Sequence, residues 1–222
     1  KSLASTGLLE YLAKRLQTPR FMVFHQPQLN HLARSFPQAD LLLGKPMPVA
    51  AALNFYRQLA HHLDFDPDRQ VTWLIDSQQR LVQYGELAKA LGRPLRIALE
   101  IDVGLERGGF TTPQALAQAL LQLRQQPALH LQGLMAYDAH VAHSPPWQNQ
   151  LRAFSEADER YRLFISSAQG FSDLWPAKPL LNGAGSLTYL LHSQQETSLN
   201  EVAVGSALLK PAAVSYTHLR AH

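Results

Sequence analysis

Short apolar runs recur along the chain, separated by longer stretches in which apolar residues return every three or four positions. The runs are residues 21–25 (FMVFH), 41–44 (LLLG), 71–76 (VTWLID), 95–102 (LRIALEID), 131–137 (LQGLMAY), 180–182 and 201–204. Most stay apolar through their length instead of alternating, a pattern that suits parallel strands covered on both faces. Between them, residues 6–16 carry Leu8, Leu9, Leu12 and Leu16 at helical spacing, and helices are also predicted over 48–62, 77–91, 112–126 and 148–168. The helix over 112–126 is the best marked: Thr112 suits the N-cap, Pro113 the first turn, and Leu116, Leu120 and Leu123 form a stripe. Strands alternating with helices imply right-handed βαβ units and a parallel sheet. The expected fold class is therefore α/β, as a (β/α)8 TIM-type barrel whose first strand would precede Lys1. An open doubly wound sheet is the alternative, but no GxGxxG follows the early runs, so its dinucleotide-binding version has no support.

Composition adds exclusions. The 222 residues are 46% hydrophobic and 17% charged, ordinary for a folded domain, and no apolar run is long enough to span a bilayer. A net charge of +3 with scattered basic residues gives no nucleic-acid stripe. Cysteine is absent, which excludes disulfides and thiolate metal sites and fits a reducing compartment; a cytoplasmic location is expected. The ten histidines are dispersed, and His61-His62 reads as a solvated helix face. The chain opens on Lys1 without a methionine, as a processed or partial chain would. Residues 214–222 (VSYTHLRAH) follow an apolar stretch without an element of their own and resemble a non-native tail, leaving residues 1–213 as the expected barrel.

Polar residues collect at the carboxyl ends of the runs. His25, Asp76, the group Glu100, Asp102 and Arg107, and the group Tyr137, Asp138 and His140 each follow a run, as do NGAGS (182–186) and Gly205-Ser206. In βα barrels the carboxyl-end loops form the active face. Twice, glycine then serine follows a short apolar run, at Gly185-Ser186 and Gly205-Ser206. Glycine lets backbone N–H groups approach an anion, serine adds a hydroxyl, and a helix starting near Leu187 would add its positive end. Two ordinary glycine turns would leave the same trace. His25 and Asp76 are read as structural, and Trp73, Trp147 and Trp175 as packing residues.

Taken in order, KSLAST, FMVFHQPQLN, LLLGKP, LEIDVGLERGGF, GLMAYDAH, NGAGSLTY and VGSALLKP resemble fold-type III pyridoxal phosphate enzymes with the alanine-racemase-type N-terminal barrel. The likeness is to the D-threonine aldolase and D-serine dehydratase branch (amino acid deaminase/aldolase) and covers residues 1–211. It implies that Lys1 holds pyridoxal 5'-phosphate as an imine, because a lysine amine condenses with an aldehyde and later moves protons. A solvated terminal lysine is the competing reading, with Lys45 the next candidate ahead of Lys14, Lys89, Lys178 and Lys210. Arg107 is brought to the cofactor ring, with Glu100 and Asp102 either orienting it or closing the strand end as an ion pair. Tyr137 and His140 match a Tyr-x-x-His step that packs against or hydrogen-bonds the ring; core packing is the alternative for Tyr137. Gly185, Ser186, Gly205 and Ser206 match the phosphate loops, assisted by Asn182 and Thr188.

The implied activity is a lyase acting on D-configured β-hydroxy amino acids, by retro-aldol cleavage or by loss of the β-hydroxyl. An amino-acid racemase, a non-catalytic carrier of the cofactor and an unrelated phosphate-binding barrel are the alternatives. Full-length members of the branch add a C-terminal β domain with ligands for a divalent metal; no metal site is expected in this chain, and a homodimer is the implied assembly. A parallel barrel without one strand exposes two edges, so the fragment is expected to be impaired as an enzyme.

Overall fold

A computed structural model describes residues 5–59, 64–144 and 149–209. Lys1, His61-His62, Trp147, Lys210 and the 214–222 tail lie outside them. The elements run α1 (Thr6–Leu16), β1 (Arg20–Val23), α2 (Gln26–Ser35), β2 (Asp40–Leu43), α3 (Val49–Gln58), α4 (Pro67–Gln70), β3 (Val71–Ile75), α5 (Gln78–Leu91), β4 (Leu95–Glu100), α6 (Pro113–Leu123), β5 (Leu129–Met135), α7 (Ala139–Ala142), α8 (Gln150–Gln169), β6 (Leu180–Gly183), α9 (Tyr189–Gln194) and β7 (Glu201–Val202), followed by a 3-10 turn over Ser206–Leu209. The strands neighbour one another in chain order, β1 through β7. Pairing is parallel where β1 meets β2, β2 meets β3, β5 meets β6 and β6 meets β7. This is the α/β alternation that the hydrophobic pattern predicts.

Local chemistry explains most boundaries. The Ser77 hydroxyl caps α5 by accepting from the Arg80 N–H at 3.3 Å, and Gly92, at φ 62°, closes it. Thr112 caps α6 as expected, accepting from the Ala115 N–H at 3.1 Å. Two expectations shift. The helix predicted over 48–62 is α3, Val49–Gln58, with Leu59 already extended at its carboxyl end. The helix expected near Leu187 starts at Tyr189, after Thr188.

Of the described residues, those within Lys1–Ala98 and Gln122–Gln132 pack as one compact unit, and those within Leu99–Leu121 and Gly133–His222 as another. The first is built around Trp73, fully buried in β3, every residue of which is buried. The rings of Phe55, Tyr56 and Tyr84 lie 5.9, 5.9 and 5.7 Å from it. The Trp73 N–H donates to the Tyr56 hydroxyl at 3.1 Å, and the Tyr84 hydroxyl donates to the Met47 carbonyl at 2.9 Å. Burial pushes both phenols up, away from ionisation. Trp73 is thus a packing residue. The strand-end residues of this unit are structural as well. The His25 Nδ1 caps α2, accepting from the Gln28 N–H at 3.2 Å, and Asp76 pairs with Arg80 at 2.8 Å.

The second unit is organised by Tyr161 of α8. Its buried hydroxyl lies 3.1 Å from the carbonyls of both Leu134 and Asn182, tying the helix to β5 and β6. Burial raises this phenol well above its usual range. Gly133 permits β5 and β6 to pair: at φ 147°, a Cβ there would sit 2.0 Å from the Leu180 carbonyl oxygen.

Candidate active site

The second unit contains the carboxyl ends of β4 through β7, and there the sequence motifs come together. Glu100 ends β4 with its side chain only 4% exposed. Its Oε1 accepts from Arg107 twice, from Nε at 3.2 Å and from Nη2 at 2.5 Å. Burying a carboxylate requires a partner of this kind. Asp102 does something else. Its Oδ1 accepts from the N–H groups of Gly104 and Glu106, at 2.9 and 3.0 Å, and so folds the loop that carries Arg107. The loop returns to its strand through a bridge between Ile101 and Phe110, in which Phe110 N–H donates to the Glu100 carbonyl at 2.8 Å. Gly109 makes that return possible: at φ 92°, its Cβ would lie 2.6 Å from the same carbonyl. Glu100 and Asp102 thus have separate tasks, Glu100 holding the arginine and Asp102 shaping the turn.

Arg107 lies over the ring of Tyr137, with 5.0 Å between the guanidinium carbon and the ring centroid. Tyr137 in turn lies against Gly185. A Cβ on Gly185 would come 2.5 Å from the Tyr137 Cε2. Glu100, Arg107, Tyr137 and Gly185 therefore form one continuous stack drawn from three separate strand-end loops. The Gly185 N–H is donated to the Thr188 hydroxyl at 3.1 Å, so this glycine contributes room for a ring while further N–H groups come from its neighbours.

Those neighbours converge on one oxygen. The N–H groups of Gly205 and Ala207 both donate to the Ser186 Oγ, each at 3.1 Å. Both backbone donors are thus held on the Ser186 hydroxyl, with open space where a Gly205 Cβ would be. Ser206 begins the 3-10 turn that holds them. Ala184, just before, has φ 60°, a left-handed conformation uncommon for a residue with a side chain. Asn182, buried on β6, donates from Nδ2 to Glu201 at 2.8 Å, while its Oδ1 has no partner among the described residues.

His140 follows Tyr137 on the short helix α7 and faces Gly104 and Arg160. A Cβ on Gly104 would lie 3.0 Å from His140 Nε2 and 2.7 Å from Arg160 Nη1. The Nδ1 of His140 is buried without a hydrogen-bond partner among the described residues. Loss of solvation lowers its pKa below the ordinary imidazole value; nearby Arg160 acts in the same direction, against the opposing pull of Asp138 and Asp102. A neutral imidazole is the consequence near neutral pH.

Of the lysines, Lys14 and Lys89 pair with Glu10 and Glu86, each at 2.8 Å, while Lys45 and Lys178 are exposed. Lys1 lies outside the described residues. Sequence reasoning missed the role of Asp138 and overlooked His192 altogether. Asp138 is 4% exposed; it accepts from the Thr188 hydroxyl at 2.6 Å and pairs with His192 Nε2 at 2.7 Å. Among the described residues, no three histidine, aspartate or glutamate side chains gather as a metal-ligand set, and no helix is long and apolar enough to cross a membrane.

Parallel strands in chain order, with buried polar groups gathered where β4 to β7 end, define an α/β protein of the kind that uses its strand-end loops as a site. The chain matches the family of the alanine racemase N-terminal domain over residues 5–212, and it belongs to that family. It is 25% identical over 138 residues to the 3-hydroxy-D-aspartate aldolase of Paracoccus denitrificans, a match covering 61% of this chain and 34% of that protein. Its fold is that of the alanine racemase of Clostridium difficile 630, at a TM-score of 0.68 and 16% identity over 89% of this chain and 46% of that one. A D-threonine aldolase from Filomicrobium marinum is similar at a TM-score of 0.67 and 15% identity, over 83% of this chain and 47% of the other. The chain thus spans about a third of the curated relative and about half of each solved structure. These likenesses show the alanine-racemase-type α/β barrel fold expected from the sequence.

Proposed function

We propose that this chain is the cofactor-binding barrel of a fold-type III pyridoxal phosphate enzyme acting on D-configured β-hydroxy amino acids. The observation that carries the reading is the stack Glu100–Arg107–Tyr137–Gly185 beside the two N–H donors that meet at Ser186. The donor set fits the cofactor: aimed backbone N–H groups suit a phosphate, and an aromatic face beside a cation suits a pyridine ring. Bound pyridoxal 5'-phosphate supplies an electron sink for bond breaking at the substrate α-carbon.

On this reading Ser186, Gly205, Ser206 and Ala207 hold the phosphate, with Asn182 beside them. Tyr137 supports one side of the ring. Arg107 is held by Glu100 through Nε and Nη2, which leaves Nη1 to point a donor at the ring substituents. His140, kept neutral by burial, hydrogen-bonds the ring or the substrate. Lys1 is the amine that attaches the cofactor and exchanges protons at the substrate α-carbon. The lyase reading, retro-aldol cleavage or dehydration, follows the likeness to the two aldolases. A racemase follows the likeness to alanine racemase and uses the same residues.

Absorbance after addition of pyridoxal phosphate, then borohydride reduction and peptide mapping, tests the cofactor assignment. A visible band with the label on Lys1 is expected. A folded chain that gives no band and no labelled lysine overturns it. Product analysis of the full-length protein with D-threonine and D-serine separates the activities: glycine with an aldehyde, ammonia with an oxoacid, or the L-enantiomer. Only the first two are compatible with a lyase.

A further inference from the structure

Tyr137 and Asp138 are consecutive, and both act on the Gly185 loop. Tyr137 packs its ring against Gly185. Asp138 reaches the same loop through Thr188. The Thr188 hydroxyl donates to Asp138 Oδ1 at 2.6 Å and accepts from the Gly185 N–H at 3.1 Å. Thr188 is fully buried and Asp138 nearly so. The second carboxylate oxygen, Oδ2, lies 2.7 Å from His192 Nε2. His192 Nδ1 meets the Thr197 hydroxyl at 2.8 Å, and the His192 ring packs edge-on against Phe154 of α8, with centroids 4.8 Å apart. Thr197 adjoins Asp158, which also accepts from the Ser198 N–H at 2.7 Å.

This chain of bonds accounts for every polar atom of the Thr188 side chain and for both oxygens of Asp138. Among the described residues, the hydroxyl of Thr188 links the carboxylate of Asp138 to the Gly185 N–H, and Ser186, where the Gly205 and Ala207 donors converge, comes next in the chain.

We propose that Asp138 and Thr188 are positioning residues that lock the Gly185-Ser186 turn in its anion-receptive form, so that they set affinity for the phosphate of the cofactor without touching it. This rests on the cofactor assignment above. Its signature is selective: loosening the lock weakens binding of a phosphorylated ligand and spares the same ring without phosphate.

The test compares pyridoxal 5'-phosphate with pyridoxal, titrated by absorbance and tryptophan fluorescence against the full chain and three variants. Thr188→Val removes the hydroxyl at constant size, Thr188→Ser restores it, and Asp138→Ala removes both acceptor oxygens. Thr188→Val is expected to weaken pyridoxal phosphate about tenfold while changing pyridoxal less than twofold, and Thr188→Ser is expected to match the parent for both. Should Thr188→Val fail to fold, Asp138→Ala takes its place with the same expected split. Equal weakening of both ligands, or no weakening of either, overturns the lock while leaving the cofactor assignment standing. A parent chain that binds pyridoxal as tightly as its phosphate overturns the phosphate turn itself, and the lock with it.

Discussion

Replacing Glu100 with glutamine tests whether a buried ion pair is what holds Arg107 in place. The substitution keeps the size of the side chain and one acceptor oxygen and removes the charge. The pair is asymmetric: the Glu100 side chain is 4% exposed and that of Arg107 27%. Removing one partner of a fully buried pair costs about 3–5 kcal/mol. Two features reduce that here. The glutamine oxygen still accepts from the guanidinium, so only the charge-assisted part of two hydrogen bonds is lost, roughly half their strength. Water also reaches Arg107 and compensates part of the loss. The expected cost is therefore about 2 kcal/mol, within the ~1.5–3 kcal/mol range of one charged hydrogen bond. For a chain of this length that lowers the thermal midpoint by about 4–8 °C, read by circular dichroism. The double variant Glu100→Gln with Arg107→Gln completes a cycle, and a coupling of at least ~1 kcal/mol is expected between residues in direct contact. A midpoint within about 1 °C of the parent, or a cycle that is additive within ~0.3 kcal/mol, would refute the pairing as the support of Arg107.

Other perturbations follow from single contacts. Gly133→Ala places a Cβ 2.0 Å from the Leu180 carbonyl, a backbone atom that cannot swing away, so a loss above ~3 kcal/mol is expected in urea unfolding. Gly185→Ala meets only the edge of the Tyr137 ring, at 2.5 Å; the ring turns aside, and stability falls by about 1–2 kcal/mol while the tyrosine fluorescence changes. His140 titrates below the usual 6.5 because burial disfavours its charged form. The unfolded chain then binds the proton first, so stability is complete above the unfolded value and declines as pH drops through it toward the folded one. His140→Gln is expected to flatten that part of the stability profile, and an unchanged slope in the variant would rule the histidine out as its source.

Much of the fold was legible because periodicity and capping agree along the chain. The helix expected over 6–16 is α1 without a change of boundary, and Thr112, a hydroxyl before proline, marks α6. The strands were legible from apolar runs that both faces of a parallel sheet require. α2 was not. Its sequence, QPQLNHLARS, has few apolar residues, and its cap is the imidazole of His25, outside the usual set of Ser, Thr, Asp and Asn. At the candidate site, residues that lie within one motif were readable. Glu100 and Arg107 are seven positions apart on either side of a turn that contains Gly104, and their pairing was one of two weighed readings. Asp138 and His192 are 54 positions apart, and their neighbours in sequence mark no partner. Only the approach of β5 to β6 brings them together, so no local signal existed to find them.

The pairing with Glu100 changes what Arg107 offers a ligand. A free guanidinium brings a full positive charge, which would favour a second anion near the ring. Here a buried carboxylate already compensates that charge, while Tyr137 covers one face of the guanidinium. What remains is directional: a planar group fixed on two sides, with Nη1 outside its bonds to Glu100. Such a group serves as an aimed hydrogen-bond donor more than as an electrostatic anchor. On the proposed reading the anion is left to the backbone turn at Ser186, Gly205 and Ala207, whose donors carry no net charge to attract competing anions from a distance. On the same proposed reading, charge and direction are divided between two loops: the ligand is oriented by Arg107 and anchored at its phosphate by the turn. That division makes the turn, and the Asp138–Thr188 contact behind it, the place where a small structural change alters affinity most.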